Sequence, residues 1–408
     1  WKQEVKDQLT DMALVPPEVR PEFDRTVDWL KDWACTRRVG LGTKFPWDTT
    51  QLIEPLSDST VYMAYYTIAH KIKEIDSKLL TPEVFDYIFL GRKSEDLPEK
   101  KKLDAMREEF LYWYPYDFRF SAKDLISNHL TFQIFHHATV FDGQKNLMPK
   151  GMVVFGMGLL NGAKMSSSKG NVFLLEDAVT EFGGDTVRMF LMGSAEPWQD
   201  FDWRNELVLS TKKQIERFYN TVMETKDASG EPHDIDRWLM SRLQAHIAKT
   251  TEALDNFQTR QALQESYFGI ETDLKWYRRR LGKDCDGSRE LHELCSVWVR
   301  LLSPFIPFTG EHLWKELAGE GLVSFAPWPV ANQKLVNVRA ELAEELLART
   351  VEDIESIQKL IQITPKAITI ALAPAWKYQI FQTIAAATDR NTVVKEIMKD
   401  ESMRKRGK

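Results

Sequence analysis

Residues 164–171 have the sequence KMSSSKGN, and no other stretch of the chain gathers so many groups suited to binding phosphate. The two lysines and three serines of this loop are Lys164, Lys169, Ser166, Ser167 and Ser168. Lysine is a point-charge partner for phosphate, while serine hydroxyls and open backbone N–H groups add directed donors. Such a loop is suited to stabilising the charge that grows on a leaving pyrophosphate, with either lysine as the phosphate contact. Taken as an isolated Lys/Ser string, it is more typical of a solvated surface loop.

A second candidate group lies in residues 117–130, where a serine, an acid and a histidine follow a predicted strand. Asp124 could accept hydrogen bonds from ribose hydroxyls, as acidic residues do in dinucleotide-binding folds. His129 follows five residues later and could reach the same pocket from the next helix. The simpler alternative is a helix N-cap at Ser121 with a buried, hydrogen-bonded histidine.

Two basic stretches are candidates for contacts with RNA. Arg37 and Arg38 precede a glycine-rich turn and could meet phosphate. The run KWYRRR at residues 275–280 alternates basic with aromatic side chains, which suits contacts with the RNA backbone and stacking on its bases. Its basic residues are Lys275, Arg278, Arg279 and Arg280. The alternatives are a packing turn with solvated arginines and a solvated helix face.

The composition limits the class of protein. The 408 residues are 43% hydrophobic and 28% charged, with a formal net charge of −6, which suggests a large core over two to four domains. No stretch reaches the roughly 18 apolar residues of a membrane span, and no signal peptide opens the chain. Three cysteines without a CxxC pair argue against a zinc site or a disulfide framework and fit the cytoplasm. Because the chain begins at Trp1 and ends in RKRGK, we expect a fragment or subunit of something longer.

Hydrophobic patterning predicts the elements that position these residues. Strands over 117–120 and 152–160, separated by a helix over 125–140, predict a Rossmann-like α/β half with a parallel sheet over residues 1–204. Ligands bind such sheets at the carboxyl ends of the strands. An α-helical bundle over 205–330 is predicted from amphipathic segments at 205–225, 234–256, 258–281, 287–302 and 308–319. Residues 331–408 are predicted to form a small, incomplete α+β piece, with a helix at 338–361 and a strand at 367–372.

The octapeptide KMSSSKGN resembles the KMSKS loop of class I aminoacyl-tRNA synthetases. Residues 117–130 and 56–66 (LSDSTVYMAYY) resemble two blocks of the leucyl-tRNA synthetases of the archaeal and eukaryotic type, with Ala122 where the first block usually has glycine. The bundle segments resemble the anticodon-binding helical domain of the same group. Residues 32–47 resemble the return of the chain from the inserted editing domain.

This resemblance implies roles for individual residues. Lys164 and Lys169 would be the catalytic pair that stabilises pyrophosphate. The other ATP-binding residues would be Ser166, Ser167, Ser168, Asp124 and His129. Leucine would be bound by Ser59, Tyr62 and His129. The tRNA would be bound by Arg37, Arg38 and the basic residues of the run KWYRRR.

The resemblance also implies a leucine–tRNA ligase that activates leucine with ATP and Mg²⁺ and transfers it to tRNA(Leu). The His-x-Gly-His motif of the family's first half does not occur in this sequence, and neither does the editing domain. We therefore expect a partner, an N-terminal half with that motif, in the same longer chain or as a separate subunit. Two other hypotheses are a tRNA-binding subunit without catalysis and an unrelated ATP-dependent ligase with a coincidental loop.

Overall fold

The computed structural model describes residues 1–92, 97–165, 170–282, 288–362 and 365–386, together with residues 397 and 399. The chain divides into two compact units, Trp1–Glu341 and Leu342–Lys408. The division into three sequence domains at residues 204 and 330 stays a prediction. Within the described residues, no helix has both the length and the apolar character needed to cross a membrane.

The strands of the described residues form three sheets of three strands each. The strands are β1 (Ala13–Val15), β2 (Thr36–Arg37), β3 (Lys44–Phe45), β4 (Asp48–Ile53), β5 (Arg119–Ala122), β6 (Gly151–Phe155), β7 (Gly158–Leu160), β8 (Ala163–Lys164) and β9 (Phe201–Trp203). The first sheet has the order β1–β6–β5 and is parallel throughout. The second is antiparallel in the order β2–β4–β3. In the third, β7 pairs antiparallel with β8 and parallel with β9.

The first half of the chain surrounds these sheets with short and medium helices. They are α1 (Lys2–Asp11), α2 (Arg20–Trp29), α3 (Pro55–Asp58), α4 (Tyr62–Tyr66), α5 (Ala69–Ile72), α6 (Pro82–Phe85), α7 (Lys100–Trp113), α8 (Thr131–Val140), α9 (Leu175–Phe182) and α10 (Gly184–Ser194). A core shared by α1, α2, α8 and β6 holds the parallel sheet. In it Leu9, Phe23 and Ile134 pack with Met152 and Val154. The apolar run GMVVF of β6 is typical of a central parallel strand buried on both faces.

The strand predicted over residues 152–160 is in fact two strands that belong to different sheets. β6 ends at Phe155, and β7 begins at Gly158. Between them a Cβ added at Gly156 would lie 2.2 Å from the carbonyl oxygen of Gln199, so the close approach of these two backbones requires glycine. The break carries the chain past the carboxyl edge of the parallel sheet. There β7 and β8 form the hairpin that leads into residues 164–171.

Helices of 5 to 22 residues dominate the chain after residue 204, which confirms the predicted bundle. They are α11 (Asn205–Thr225), α12 (Asp234–Asp255), α13 (Thr259–Leu263), α14 (Ile270–Leu281), α15 (Arg289–Leu302) and α16 (Pro307–Glu316). A π-helical stretch, Gln264–Gly269, joins α13 to α14. The apolar faces of these helices meet around Phe218, Tyr267 and Trp298, each at most 1% exposed. Burial of one such side chain stabilises the fold by about 1.5–3 kcal/mol.

Specific contacts keep the bundle and the α/β half in one compact unit. The carboxylate of Glu196, which follows α10, accepts hydrogen bonds from the backbone N–H groups of Arg260 (3.2 Å) and Gln261 (3.0 Å) at the start of α13. The ring of Phe257 lies 4.8 Å from that of Phe118, just before β5. The bundle therefore meets the sheet near the strand that leads to Asp124.

The second unit contains most of α17 (Val338–Ile361) and α18 (Ala375–Ala386). Helix α17 confirms the helix predicted at 338–361. The strand predicted over residues 367–372, and with it the α+β description of this piece, is wrong for the described residues. A strand needs a partner for its backbone hydrogen bonds. No described residue pairs with this segment, and Ile368, Ile370 and Leu372 are all more than half exposed.

Candidate active site

His129 is the centre of a polar cluster beside the parallel sheet. After β5 the chain makes a tight turn, Lys123–Leu125, and a π-helical turn, Ile126–Leu130, before α8 begins. His129 is only 5% exposed. Its Nε2 atom lies 3.1 Å from Nη2 of Arg119, and its Nδ1 atom lies 3.3 Å from Oγ of Ser59.

These hydrogen bonds determine the tautomer of the ring. A guanidinium group only donates, so Nε2 of His129 accepts from Arg119 and the ring proton lies on Nδ1. The Nδ1–H group then donates to the hydroxyl of Ser59, which in turn donates to the carbonyl oxygen of Leu56 at 3.4 Å. Burial, and after it the charge of Arg119, lowers the pKa of His129. The ring is therefore neutral near pH 7.

Arg119 brings Tyr62 into the same cluster. Its Nη1 and Nη2 atoms both lie 3.4 Å from the hydroxyl of Tyr62. The structure thus assembles the three predicted leucine-site residues, Ser59, Tyr62 and His129, although Ser59 and His129 are 70 positions apart. Sequence reasoning assigned Arg119 no role. The feature of the sequence that could have identified Arg119 is its position in the 117–130 block, two residues before Ser121.

The positive charge of Arg119 is not balanced within the described part of the chain. No described carboxylate lies within 4.0 Å of its guanidinium group, and its Nε atom is buried without a hydrogen-bond partner. A half-buried cation with an unused donor favours an anionic or strongly polar ligand. Burial raises the pKa of the nearby Tyr114 and Tyr116 phenols, so both stay neutral near pH 7.

An open cavity of 470 Å³ lies next to this cluster. Tyr66, one of its walls, packs edge-on against Tyr62 with the ring centroids 4.7 Å apart. The residues that line the cavity are Met63, Tyr66, Thr67, His70, Glu109, Trp113, Tyr114 and Tyr116. Aromatic walls with a few polar groups are typical of sites for small molecules.

Two further histidines of α8 are neutral and hydrogen-bonded. In His137, Nδ1 donates to the carbonyl oxygen of Gln133 at 2.7 Å, and Nε2 accepts from the hydroxyl of Tyr114 at 2.5 Å. Burial lowers the pKa of His137 to about 4. His136 pairs through Nδ1 with Oγ1 of Thr60 at 2.5 Å, and burial lowers its pKa as well. These pairs hold α8 against the segments that carry the rest of the cluster.

Asp124 is exposed on the turn at the carboxyl end of β5. The neighbouring Lys123 forms an ion pair of 2.6 Å with Asp200. The same oxygen of Asp200 accepts a hydrogen bond of 2.7 Å from the backbone N–H of Met157. These two contacts, first that of Lys123, lower the pKa of Asp200. One carboxylate therefore holds both the Asp124 turn and the chain that leads to Lys164.

Lys164 is exposed on β8, the second strand of a tight hairpin. At the tip Asn161 and Gly162 have φ values of 52° and 78°, the pattern of a type I′ turn, in which both central residues have positive φ. The side chain of Asn171 donates to the carbonyl oxygen of Lys164 at 3.3 Å and closes the base of the loop. The predicted residues between these two ends, Ser166, Ser167, Ser168 and Lys169, lie outside the described residues.

The first pair of RNA candidates lies in the antiparallel sheet. Arg37 is half-buried on β2, and its Nη2 atom donates to the carbonyl oxygen of Leu41. A Cβ added at Gly40 would lie 3.1 Å from the guanidinium of Arg37, so the turn closes over that side chain. Arg38 is exposed. Of the two, Arg38 is therefore the more accessible to a polyanion.

The second group of RNA candidates is exposed near the end of α14. It consists of Lys275, Arg278, Arg279 and Arg280. Lys275 lies 3.4 Å from Glu271, and Arg278 lies 3.7 Å from Glu224. Glu271 is only 12% exposed, but the basic partner of each pair is exposed, and ion pairs at the surface contribute about 0–1 kcal/mol and are screened by salt. They can therefore exchange with phosphate contacts.

The cluster around His129 offers hydrogen bonding and positive charge. Among the described residues, no group of three or more His, Cys, Asp and Glu side chains is arranged to hold a metal ion. The arrangement can orient an amino acid and bind its polar groups. Asp124 offers an exposed hydrogen-bond acceptor and Lys164 an exposed positive charge.

Two models of protein families match the chain. Residues 96–222 match the family described as tRNA synthetases class I (M), and residues 236–371 match the anticodon-binding domain of tRNA ligase. The first range contains Arg119, His129 and Lys164, and the second contains α13 to α16.

The chain is similar over its length to leucine–tRNA ligases of archaea. It is 46% identical to that of Methanopyrus kandleri and 43% identical to that of Pyrococcus abyssi, each over 100% of this chain. It is 45% identical to that of Methanothermobacter thermautotrophicus over 94% of this chain. The chain spans 43, 44 and 42% of the lengths of these three proteins, respectively.

Two solved structures share its fold. One is the ternary complex of a LeuRS from Agrobacterium radiobacter K84 with tRNA and LeuAMS, with a TM-score of 0.54 and 21% identity, covering 71% of this chain and 34% of that chain. The other is the methionyl-tRNA synthetase of Mycobacterium tuberculosis with methionyl-adenylate, with a TM-score of 0.54 and 18% identity, covering 76% of this chain and 60% of that chain. These likenesses confirm the predicted fold of a parallel α/β half followed by a helical bundle.

Proposed function

Because the chain belongs to the leucine–tRNA ligase family of class I aminoacyl-tRNA synthetases, we propose that it supplies part of an active site that charges tRNA(Leu) with leucine. The chain spans 43% of its relative from Methanopyrus kandleri. We propose that an N-terminal half with the His-x-Gly-His motif completes the site, in the same chain or as a separate subunit.

The proposed reaction has two steps. The carboxylate of leucine attacks the α-phosphorus of ATP in line, a P–O bond forms, and the bond to pyrophosphate breaks. The leucyl group then passes from the adenylate to the 3′ end of the tRNA, and AMP leaves. Neither step needs a nucleophile from the protein. Catalysis then consists of positioning the reactants and stabilising the charge on the phosphates.

The observation that supports this proposal most directly is the convergence of Ser59, Tyr62 and His129 around Arg119. A neutral His129 with its proton on Nδ1 leaves the cluster without a negative charge beside the arginine. Such a site favours the polar end of an amino acid, while the aromatic cavity beside it suits an apolar side chain. A pocket of this kind separates amino acids that differ by one methylene by only about 1–3 kcal/mol.

The nucleotide is assigned to the turn at Asp124 and to the loop at residues 164–171. In this proposal Lys164 and Lys169 stabilise pyrophosphate, and Ser166, Ser167 and Ser168 shape the loop. Mg²⁺ accompanies ATP, because magnesium usually binds through the phosphates and one or two carboxylates. Arg37, Arg38 and the basic run of α14 bind the tRNA backbone. We place the enzyme in the cytoplasm, where unpaired cysteines stay reduced.

The experiment replaces Lys164 in the enzyme that contains this chain together with the N-terminal half. We expect Lys164→Ala to lower leucine-dependent exchange of pyrophosphate into ATP by about 10²–10³-fold, because a charge that acts on the leaving group is lost. Circular dichroism should show little loss of fold, since Lys164 is exposed. Lys145→Ala, another exposed lysine, is the control and should leave the rate unchanged.

An unchanged rate in Lys164→Ala would contradict the role of the loop. A different outcome separates a binding protein from an enzyme. If exchange is absent with the N-terminal half present, while binding of tRNA weakens steeply with salt, the chain is a tRNA-binding subunit without catalysis.

A further inference from the structure

We propose that Asp200 is a positioning residue that sets the distance between the Asp124 turn and the hairpin of Lys164. The inference rests on the proposed function, in which both segments contact one nucleotide. Asp200 touches neither the nucleotide nor leucine in this proposal. It acts through the two segments that it holds.

The geometry that supports this role is a single oxygen with two donors from different segments. Oδ1 of Asp200 lies 2.6 Å from Nζ of Lys123, which precedes Asp124 in the chain. It also lies 2.7 Å from the backbone nitrogen of Met157, which precedes β7. Lys123 is 77 positions from Asp200, and Met157 is 43 positions away. The carboxylate therefore joins two segments that are distant in sequence.

The backbone beside Asp200 is itself held close to the hairpin. The N–H of Gly156 donates to the carbonyl oxygen of Pro197 at 2.9 Å, and the N–H of Phe201 donates to that of Met157 at 3.1 Å. Gly156 has no Cβ, so the two backbones can approach this closely. The position of Asp200 relative to β7 is thus fixed by the main chain. The part of this link that is not fixed by the main chain is then the side chain of Lys123.

A second carboxylate on the same segment orients the far end of the hairpin. Oδ1 of Asp202 accepts from the N–H of Gly162 at 2.7 Å, and Oδ2 accepts from Nε of Arg204 at 2.7 Å. These contacts stay within the hairpin and its neighbouring strand. Asp200, by contrast, reaches across to the turn after β5, and this difference assigns it the role of setting the spacing.

The sheet offers a matched control at its opposite edge. Lys150 precedes β6, Asp117 precedes β5, and their side chains form an ion pair of 2.8 Å. Both pairs are exposed: 57% and 77% for Lys150 and Asp117, against 46% and 41% for Lys123 and Asp200. Exposed ion pairs add little stability, so neither should matter much to folding. Only the pair at Asp200 lies where a shift of the segments changes alignment of the reactants, to which rates are sensitive.

The test uses the enzyme that contains this chain with its N-terminal half, and measures pyrophosphate exchange at varied ATP and varied leucine. We expect Asp200→Asn and Lys123→Met each to lower kcat/KM for ATP about 10-fold, with KM for leucine unchanged. The double variant should be no worse than either single variant, because both remove one interaction. Lys123→Arg, which keeps the charge, should retain most of the rate. Lys150→Met should behave like the parent enzyme.

Several outcomes would overturn the proposal. They are an unchanged kcat/KM for ATP in Asp200→Asn, an equal loss in Lys150→Met, and a loss that follows a lowered melting temperature. Direct binding of ATP is measured in parallel by calorimetry. If the parent enzyme lacks leucine-dependent exchange, the proposed function fails. The positioning role is then judged by the ATP affinities of the parent and Asp200→Asn, and equal values would reject it.

Discussion

Two buried histidines, His129 in the α/β half and His246 in the bundle, have neighbours of opposite charge. His129 faces a guanidinium group on one side and a hydroxyl on the other. His246 lies between two carboxylates, with Nδ1 3.0 Å from Glu265 and Nε2 3.0 Å from Asp273. The first histidine belongs to a cluster with an excess of positive charge, whereas the second lies between two carboxylates, one of which also pairs with Arg242.

Further contacts surround His246. Nε of Arg242 lies 3.0 Å from Oδ2 of Asp273, the oxygen that His246 also contacts. A Cβ added at Gly269 would lie 2.4 Å from Cε1 of His246, so the π-helical stretch after α13 fits closely around it. None of the four residues Arg242, His246, Glu265 and Asp273 has a buried side-chain polar atom without a hydrogen-bond partner, so this cluster serves as scaffold. The unbalanced charge of Arg119 at the other cluster favours a ligand instead.

The largest effect that would sharpen this contrast is on the stability of the bundle. We expect His246→Ala to lower the free energy of unfolding by about 3 kcal/mol, because the buried Asp273 and the half-buried Glu265 lose their shared partner. The activity of the molecules that remain folded should be close to normal. Urea unfolding followed by circular dichroism measures the change. His312→Ala, at an exposed position of α16, is the control, and a loss below about 1 kcal/mol for His246→Ala would break the comparison.

Acid should weaken the α/β half through its neutral histidines. The pKa of His137 is lowered from 6.5 to about 4, so the unfolded chain binds a proton below pH 6.5 that the folded protein does not. Stability is therefore unaffected above pH 6.5 and falls between pH 6.5 and 4, by about 3 kcal/mol for this residue. Urea midpoints at pH 7, 5.5 and 4.5 measure it. His137→Gln should flatten the dependence, and an equally steep loss in that variant would assign it to other groups.

The third effect is on substrate rather than on stability. We expect His129→Ala to lower kcat/KM for leucine by about 100-fold, because the ring that Arg119 and Ser59 orient is lost from the proposed leucine site. The pyrophosphate exchange assay measures this at varied leucine. His136→Ala, in the helix α8 that follows, should reduce stability while sparing kcat/KM for leucine. The same kcat/KM for leucine in both variants would argue that His129 is scaffold, like His246.

Local patterns predicted much of the fold. Helices α11 to α17 lie where amphipathic periodicity placed them, and α11, α12, α14 and α15 bury the apolar face that repeats along each of them. The strand over 152–160 was wrong in its extent, since the break at Gly156 depends on the backbone of Gln199. The strand at 367–372 was wrong because alternation of apolar residues does not supply a pairing partner.

By itself, the sequence determined the helices of the bundle, the loop at residues 164–171 and the candidacy of Ser59, Tyr62 and His129. Periodicity carries the helices, and the resemblance of short motifs to a known family carries the loop and the three candidate residues, because both depend on neighbours in the chain. Only the tertiary structure decided that Arg119 joins those three residues and that Asp200 links Lys123 to Met157. The contact of Ser59 with His129 spans 70 positions and that of Asp200 with Lys123 spans 77. Such contacts arise from the packing of the sheet edge, which no local pattern encodes.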